Sequence, residues 1–348
     1  MKLLLITDTH LGVRSGNEAV ERYQAQFFKN QFLPYLHENK SNIDLIIHLG
    51  DLFDQRKYIG FKALDFWYKN FIGPMEDVGL PIDLIIGNHD CHWKETNDLN
   101  SPKLLLKDYR SFRVIEEPYE DKVNKLLYLP WINKENIEKS KEIIQNTETK
   151  YAFGHLALSG FLMMSGMTCE HSDFSAADFL KFKRVFSGHF HWRSSQKNIE
   201  YLGSPYQLNW ADVGNDRGFH LFDTEKNELT FIHNPLEQYV KLEYNDEGIS
   251  TLEDIDFSEF TDKFVKLIIK NKTNPTLYAK FVQTLFDVGA VQIQITDQEL
   301  QKSIEEQSVS VKTIPEIIKH NIDIQSFEPE IKSKLLEYMT DLYGKTLC

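Results

Sequence analysis

The chain has 348 residues, enough for one large domain and one or two small ones, with an ordinary globular composition of 41% hydrophobic and 26% charged residues. No run approaches the ~18 apolar residues of a membrane span, and the opening Met1-Lys2-Leu3-Leu4-Leu5-Ile6-Thr7-Asp8 is too soon charged for a signal peptide and reads as a buried strand. A formal charge of −13 argues against gripping nucleic acid by charge alone, and three unpatterned cysteines (Cys91, Cys169, Cys348) fit a reducing, cytoplasmic compartment.

In chain order, apolar runs predict strands at 3–6, 45–49, 84–86, 126–129, 151–153 and 185–186, then at 199–202, 219–222 and 229–233. Helical stretches cover 17–39, where Val20, Tyr23 and Phe27 share a face, and 60–78, interrupted near Gly73-Pro74. A polar helix is predicted over 134–146. After about Pro235 the character changes: a strand at 264–270, a helix at 276–288 ended by Gly289 and a strand at 291–295 suggest a small α+β domain. Two helices, 311–320 and 330–343, close the sequence. The expected organisation is a main domain over 1–235, a small domain over 240–300 and a helical segment over 310–348. Alternating strands and helices predict an α/β fold, layered, with mixed central sheets flanked by helices.

Five segments carry the chemistry: Asp8-Thr9-His10, Gly50-Asp51-Leu52-Phe53-Asp54, Gly87-Asn88-His89-Asp90, Gly154-His155 and Gly188-His189-Phe190-His191. Each follows a predicted strand, and in open α/β sheets ligands bind beyond the carboxyl ends of the strands. Their donors are carboxylates, imidazoles and one amide oxygen. That set suits hard and borderline divalent ions, and the absence of thiolates argues against a structural zinc cage. Two metals bridged by one carboxylate are a standard means of hydrolysing a phosphate ester. Taken singly, each segment also reads as a capped turn, and Gly-His-Phe-His as exposed alternating histidines; five in this order do not.

The five segments resemble the calcineurin-like metallophosphoesterase superfamily, and within it the SbcD-type nucleases of double-strand-break repair and the recombination endonuclease subunits of T-even-like phages. Gly203-Ser204-Pro205, followed by Arg217-Gly218-Phe219, resembles the region that closes the SbcD catalytic domain. The motif-bearing likeness covers roughly residues 1–235. It implies one metal on Asp8, His10, Asp51 and His191, and another on Asp51, Asn88, His155 and His189, with Asp51 bridging. His89 would stabilise or protonate the departing oxygen, oriented by Asp54, although some repair nucleases carry a histidine at that position.

The resemblance further implies two divalent metals, manganese foremost, with magnesium, iron or zinc allowed by the ligand types. It implies hydrolysis of DNA phosphodiesters, as an exonuclease on duplex ends and an endonuclease on single strands, in recombination, replication and repair. The small domain would cap the site over DNA. The C-terminal helices would dock on an SbcC-type coiled-coil ABC ATPase, the helix at 60–78 would form a homodimer face, and no membrane is involved. A phage-encoded protein of this kind would work in the host cytoplasm. The rival readings are a protein phosphatase or small phosphodiesterase on the same fold, and a scaffolding subunit with a degenerate site.

Other residues carry weaker expectations. Arg14, Arg56 and Lys57 follow ligand motifs and are candidates for DNA phosphates, with Arg193 and Arg217 approaching from the other side; solvated surface charge is the alternative. Of Tyr58, Phe61, Phe66, Trp67 and Phe71, most should be core. His48 reads as a core or rim histidine and His92 as a surface-loop residue, while His37, His171, His220, His233 and His320 read as ordinary.

Overall fold

The computed structural model describes residues 1–164, 166–170, 172–248 and 251–297, together with 319, 321–322, 327–328, 331–336 and 338–339. Two compact units divide the chain, the first comprising Met1–Thr168 and Asp173–Gln238.

The strands of the first unit are β1 (Lys2–Ile6), β2 (Leu45–His48), β3 (Ile82–Ile85), β4 (Phe112–Ile115), β5 (Tyr119–Asp121), β6 (Leu126–Leu129), β7 (Tyr151–His155), β8 (Leu162–Met164), β9 (Met167–Thr168), β10 (Arg184–Gly188), β11 (Ser194–Gln196), β12 (Ile199–Tyr201), β13 (Gly218–Asp223) and β14 (Glu228–His233). One six-stranded sheet runs β14-β13-β1-β2-β3-β4, and a second runs β11-β12-β10-β7-β6-β5. The first is parallel from β1 to β4 and antiparallel at β13 and β14. The second is parallel from β12 through β10 and β7 to β6, with antiparallel edges at β11 and β5.

The period of two along each strand explains the layering. Leu4, Ile6, Ile46, Ile82 and Leu84 pack with Phe27, Phe28, Phe32, Trp67 and Phe71 from the helices. Leu3, Leu5, Leu45, Ile47 and Ile85 face the other way and pack with Leu126, Tyr128, Tyr151, Phe153 and Phe186 of the second sheet. Strands covered on both faces need apolar residues at every position, which is why the central ones are unbroken hydrophobic runs. The sheet edges lacked that signal: β4, sequence Phe-Arg-Val-Ile, keeps Arg113 by pairing its guanidinium with Asp83 at 2.5 Å.

The helix predicted to break at Gly73-Pro74 runs on. It passes from Phe61–Trp67 through a π-turn at Tyr68–Ile72 into Gly73–Val78. The first helix does the same, from Glu18–Phe27 through Phe28–Phe32 to Leu33–Asn39. Pro34 and Pro74 each stand just after the wide turn, whose extra residue gives room for a ring that would clash in a regular α-turn. Trp67 and Phe71 are core, but Tyr58 is 70% and Phe61 90% exposed.

The second unit groups Cys169, Glu170 and Ser172 with the described chain from Tyr239 onward. Its parallel sheet has the order β15 (Tyr239–Asn245), β16 (Phe264–Asn271), β17 (Gln292–Asp297). The helix Pro275–Asp287 lays Phe281 and Leu285 on Val265, Leu267 and Ile269. The helix expected over 311–320, apart from residue 319, and His171 and His320 lie outside the described residues; of the one expected over 330–343, residues 331–336 and 338–339 are described and are helical.

Candidate metal centre

The carboxyl ends of β1, β2, β3, β7 and β10 converge on one rim. Asp8 and His10 follow β1, Asp51 and Asp54 follow β2, Asn88, His89 and Asp90 follow β3, His155 ends β7, and His189 and His191 follow β10. Asp8, His10, Asp51, Asn88 and His155 are buried. The connecting turns are sharp: Asp8, His10, Asp51 and His189 have φ of 50°, 43°, 53° and 83°. Such left-handed backbone costs a non-glycine residue ~1 kcal/mol or more, and it persists because the turns are pinned to one another. The Asp8 N–H donates to Gly50 O at 3.0 Å and the His10 N–H to Asp51 O at 3.1 Å. The glycines permit the close approach: a Cβ on Gly87 would sit 2.2 Å from Asp51 Oδ1, and one on Gly188 2.1 Å from Thr7 Oγ1.

Among the described residues three clusters result: one is His10, Asp54 and His89, which shares His10 with another, and the other two are made wholly of expected ligands. Asp8, His10 and His191 form one and Asp51, His155 and His189 the other, the candidate donor atoms within each lying inside 4.8 Å of one another. Asn88 Oδ1 joins the second, 3.0 Å from His155 Nε2 and 2.8 Å from His189 Nδ1. Asp51 Oδ2 stands between them, 3.5 Å from His10 Nε2 and 3.4 Å from His155 Nε2. His10 Nε2 and His191 Nε2 are 3.1 Å apart, so two lone-pair atoms point at one place where at most one proton can satisfy them. His189 Nε2 is buried with no hydrogen-bond partner. This crowding of donor atoms fits divalent cations.

Surrounding groups set the imidazole tautomers. His155 Nδ1 lies 2.8 Å from the Leu49 carbonyl, which can only accept, so Nδ1 carries the proton and Nε2 turns to the cluster. His10 Nδ1 likewise meets Asp54 Oδ1 at 3.2 Å. Burial lowers the pKa of His10, but the Asp54 hydrogen bond and the charges of Asp51, Asp54 and Asp8 outweigh it and raise the group to about 9. His155, opposed by burial and favoured mainly by Asp51, also rises to about 9. Burial, then the charge of His155, holds His189 well below its usual value; burial and His10 lower His191. Asp51 is buried, yet His155, His89 and His10 keep it well below the carboxylate range. Two protons thus sit on the histidines around one carboxylate, where cations would replace them.

The sequence reading expected the Asp54 side chain to orient His89. The structure gives that contact to the main chain: His89 Nδ1 donates to the Asp54 carbonyl at 2.7 Å, while the carboxylate faces His10. A carbonyl can only accept, so it still fixes one tautomer, with the proton on Nδ1.

Asp90, fourth in its motif, has a role that the sequence reading did not give it. Its buried carboxylate accepts from the N–H groups of Asp51 (2.9 Å), Leu52 (3.0 Å), Phe53 (3.2 Å) and Gly87 (2.9 Å), locking together two turns that carry candidate ligands. Burial, then the Asp51 charge, pushes its pKa up to about 7 against the pull of these donors. An acidic residue closing a Gly-x-x-Asp turn was the available signal.

Among the basic candidates, Arg217 is no surface contact. It is 3% exposed and pairs with Asp212 at 3.1 Å, and its Nη1 donates to Ser204 Oγ and to the His191 carbonyl. It therefore holds a candidate ligand from behind. Arg193 lies 3.5 Å from Asp216 and 4.1 Å over the Phe231 ring. Arg14 and Lys57 are exposed; Arg56 is partly buried, donates to the Cys91 carbonyl at 3.1 Å and lines, with Lys57 and His92, a cleft of about 190 Å³. His48 is buried and neutral, lowered to about 3 by burial, with Nε2 3.0 Å from Thr9 Oγ1 and Nδ1 unpartnered.

Residues 1–193 match the family described as calcineurin-like phosphoesterase, and the chain belongs to that family of metal-dependent phosphoesterases. It is a hydrolase of phosphate esters, and its relatives include nucleases. It is 30% identical over 352 residues to exonuclease subunit 1 of Enterobacteria phage T4, covering 99% of this chain and 98% of the relative. It is 26% identical over 313 residues to the SbcD component of the nuclease SbcCD of Staphylococcus epidermidis, covering 79% and 77%. A solved archaeal phosphodiesterase is similar over 67% of this chain and all of its own, with 14% identity and a TM-score of 0.32. Among the described residues no helix is long and apolar enough to cross a membrane.

Proposed function

We propose that this chain is a two-metal DNA nuclease, the nuclease subunit of an SbcCD-type recombination and repair complex. The observation that carries this is the 30% identity running the whole length of both this chain and the phage exonuclease subunit, over a site with a full ligand set. One cation would be held by Asp8, His10, Asp51 and His191, the other by Asp51, Asn88, His155 and His189. Bound there, manganese or a similar ion would supply Lewis acidity to the ester and acidify water. The amide and imidazole ligands are neutral, so the site keeps positive charge for a phosphodiester. His89, with Nδ1 tied to the Asp54 carbonyl, has Nε2 free to pass a proton to the departing oxygen.

The same reading gives the chain a coiled-coil ATPase partner for its C-terminal segment. It also gives a homodimer contact through the exposed Tyr58 and Phe61. The test is purified protein with manganese and end-labelled linear duplex DNA, beside Asp51→Ala and an aryl phosphodiester. Manganese-dependent shortening, lost in the variant, is expected. Hydrolysis of the aryl ester with intact DNA would reject the nuclease and favour a small-molecule phosphodiesterase.

A further inference from the structure

Two residues past β6, Trp131 lies on the same rim as the candidate ligands. Its ring centroid is 5.2 Å from that of His189 and 6.3 Å from that of His155. The residue is fixed on every side. Its N–H donates to the Ile86 carbonyl at 2.7 Å, and its own carbonyl accepts from the amides of Asn97 and Asn136, each at 3.0 Å. Its indole Nε1 donates to the Lys94 carbonyl at 3.0 Å. Asn97 and Asn136 are themselves buried. The indole nevertheless remains partly exposed. A large flat ring, held still beside the ligands and partly open to solvent, is a surface for another flat ring.

We propose that Trp131 is the platform on which an unpaired nucleobase next to the reacting phosphate stacks. The proposal rests on the nuclease reading and specifies its substrate. In a nucleotide the base lies one sugar away from its phosphate; here the indole lies one imidazole away from the cluster of Asp51, His155 and His189. Every base has a π-face, so an indole platform is indifferent to sequence. A base paired in a duplex is already stacked on its neighbours, so the platform selects nucleotides that are unpaired: single strands and frayed ends. The Nε1 bond to Lys94, on a main chain held by the other three bonds, lowers the entropy cost of ordering the platform on binding.

The test is an abasic scan. A labelled single-stranded oligonucleotide carries one tetrahydrofuran site, moved position by position. Binding is read by fluorescence anisotropy without added metal and cleavage with manganese. For the wild type, one position beside the cut should cost about tenfold or more in affinity and kcat/KM when its base is removed. Trp131→Ala should treat the intact strand as the wild type treats the abasic one, and should be blind to that position. Trp131→Phe, which keeps a ring but loses the N–H, should retain most of the sensitivity. The proposal fails if the wild type is indifferent to every abasic position, or if Trp131→Ala keeps the full penalty. It also fails if Trp131→Phe is as defective as Trp131→Ala, since the indole would then serve only its bond to Lys94. Should Trp131→Ala not fold, judged by its melting temperature, Trp131→Leu, which fills the space without a π-face, takes its place: it should be blind to that position, and a full penalty in it overturns the proposal. A wild type that hydrolyses aryl esters but neither binds nor cuts the oligonucleotide removes the nuclease reading, and this proposal with it.

Discussion

Lowering the pH from 8 to 7 should weaken metal binding about tenfold at each of the two clusters, because protons and cations compete for the same nitrogen atoms. The magnitude follows from His10 and His155, whose pKa values stand at about 9 without metal. At pH 8 each is about nine-tenths protonated, and every further unit of acid costs another factor of about ten, or ~1.4 kcal/mol per site. Three other candidate ligands add no competition: His189 and His191 are held neutral, and Asp51 stays ionised. Titration calorimetry with manganese, in buffers of different ionisation enthalpy at pH 7.5, should show ~1 proton released per metal and ~2 in all. Release below ~0.3 proton per metal, or affinities flat from pH 7 to 8, would refute the reasoning.

The same shifts set the stability of the metal-free protein. Both histidines have folded-state pKa values above the unfolded 6.5, so their stabilisation is fully present below pH 6.5 and is lost as pH rises through about 9. The loss is ~3 kcal/mol for one histidine, and less than twice that for the pair because both lean on Asp51. Chemical denaturation of the metal-free protein at pH 6 and pH 9.5 measures it; manganese should abolish the difference.

Further outcomes follow from particular contacts. Gly87→Ala would drive a methyl group to 2.2 Å from Asp51 Oδ1, so it should lower stability by ~2–3 kcal/mol and remove metal binding, read by thermal melting with and without manganese. Arg217→Leu strands buried Asp212 and frees the His191 carbonyl; a loss of ~3–5 kcal/mol in urea denaturation is expected, and a loss under ~1 kcal/mol would contradict the buried pair. Asp54→Asn removes the charge behind His10 but keeps the main-chain contact to His89. It should therefore weaken manganese binding ~10-fold while leaving the His89 ring resonances in the NMR spectrum in place; an unchanged affinity with displaced His89 resonances would return the orienting role to the carboxylate.

How much was legible depends on the range of the physics involved. The central strands announce themselves because a strand covered on both faces must be apolar at each position, as in Leu45-Ile46-Ile47. The continuation of the helix through Gly73-Pro74 was not legible, because the same Gly-Pro that ends many helices is accommodated here by a π-turn. Tyr58 and Phe61 stand in the sequence among core aromatics, yet their exposure depends on what the tertiary fold leaves uncovered.

The candidate site divides in the same way. Asp8, His10, Asp51, Asn88, His155, His189 and His191 could be picked out in the sequence because chemistry demands particular donor atoms, and strand ends put them on one rim. Only the tertiary structure decides what stands behind them. Arg217 reads as a surface cation until the fold buries it against Asp212 and the His191 carbonyl. Asp90 reads as the tail of a turn until four N–H groups close around it. Trp131 carries no motif at all until β6 delivers it beside His189. A sequence records which atoms can bind a cation, since that is a property of each residue alone. The distances, tautomers and pKa shifts that make those atoms act together arise between segments far apart in the chain, and they exist only once it has folded.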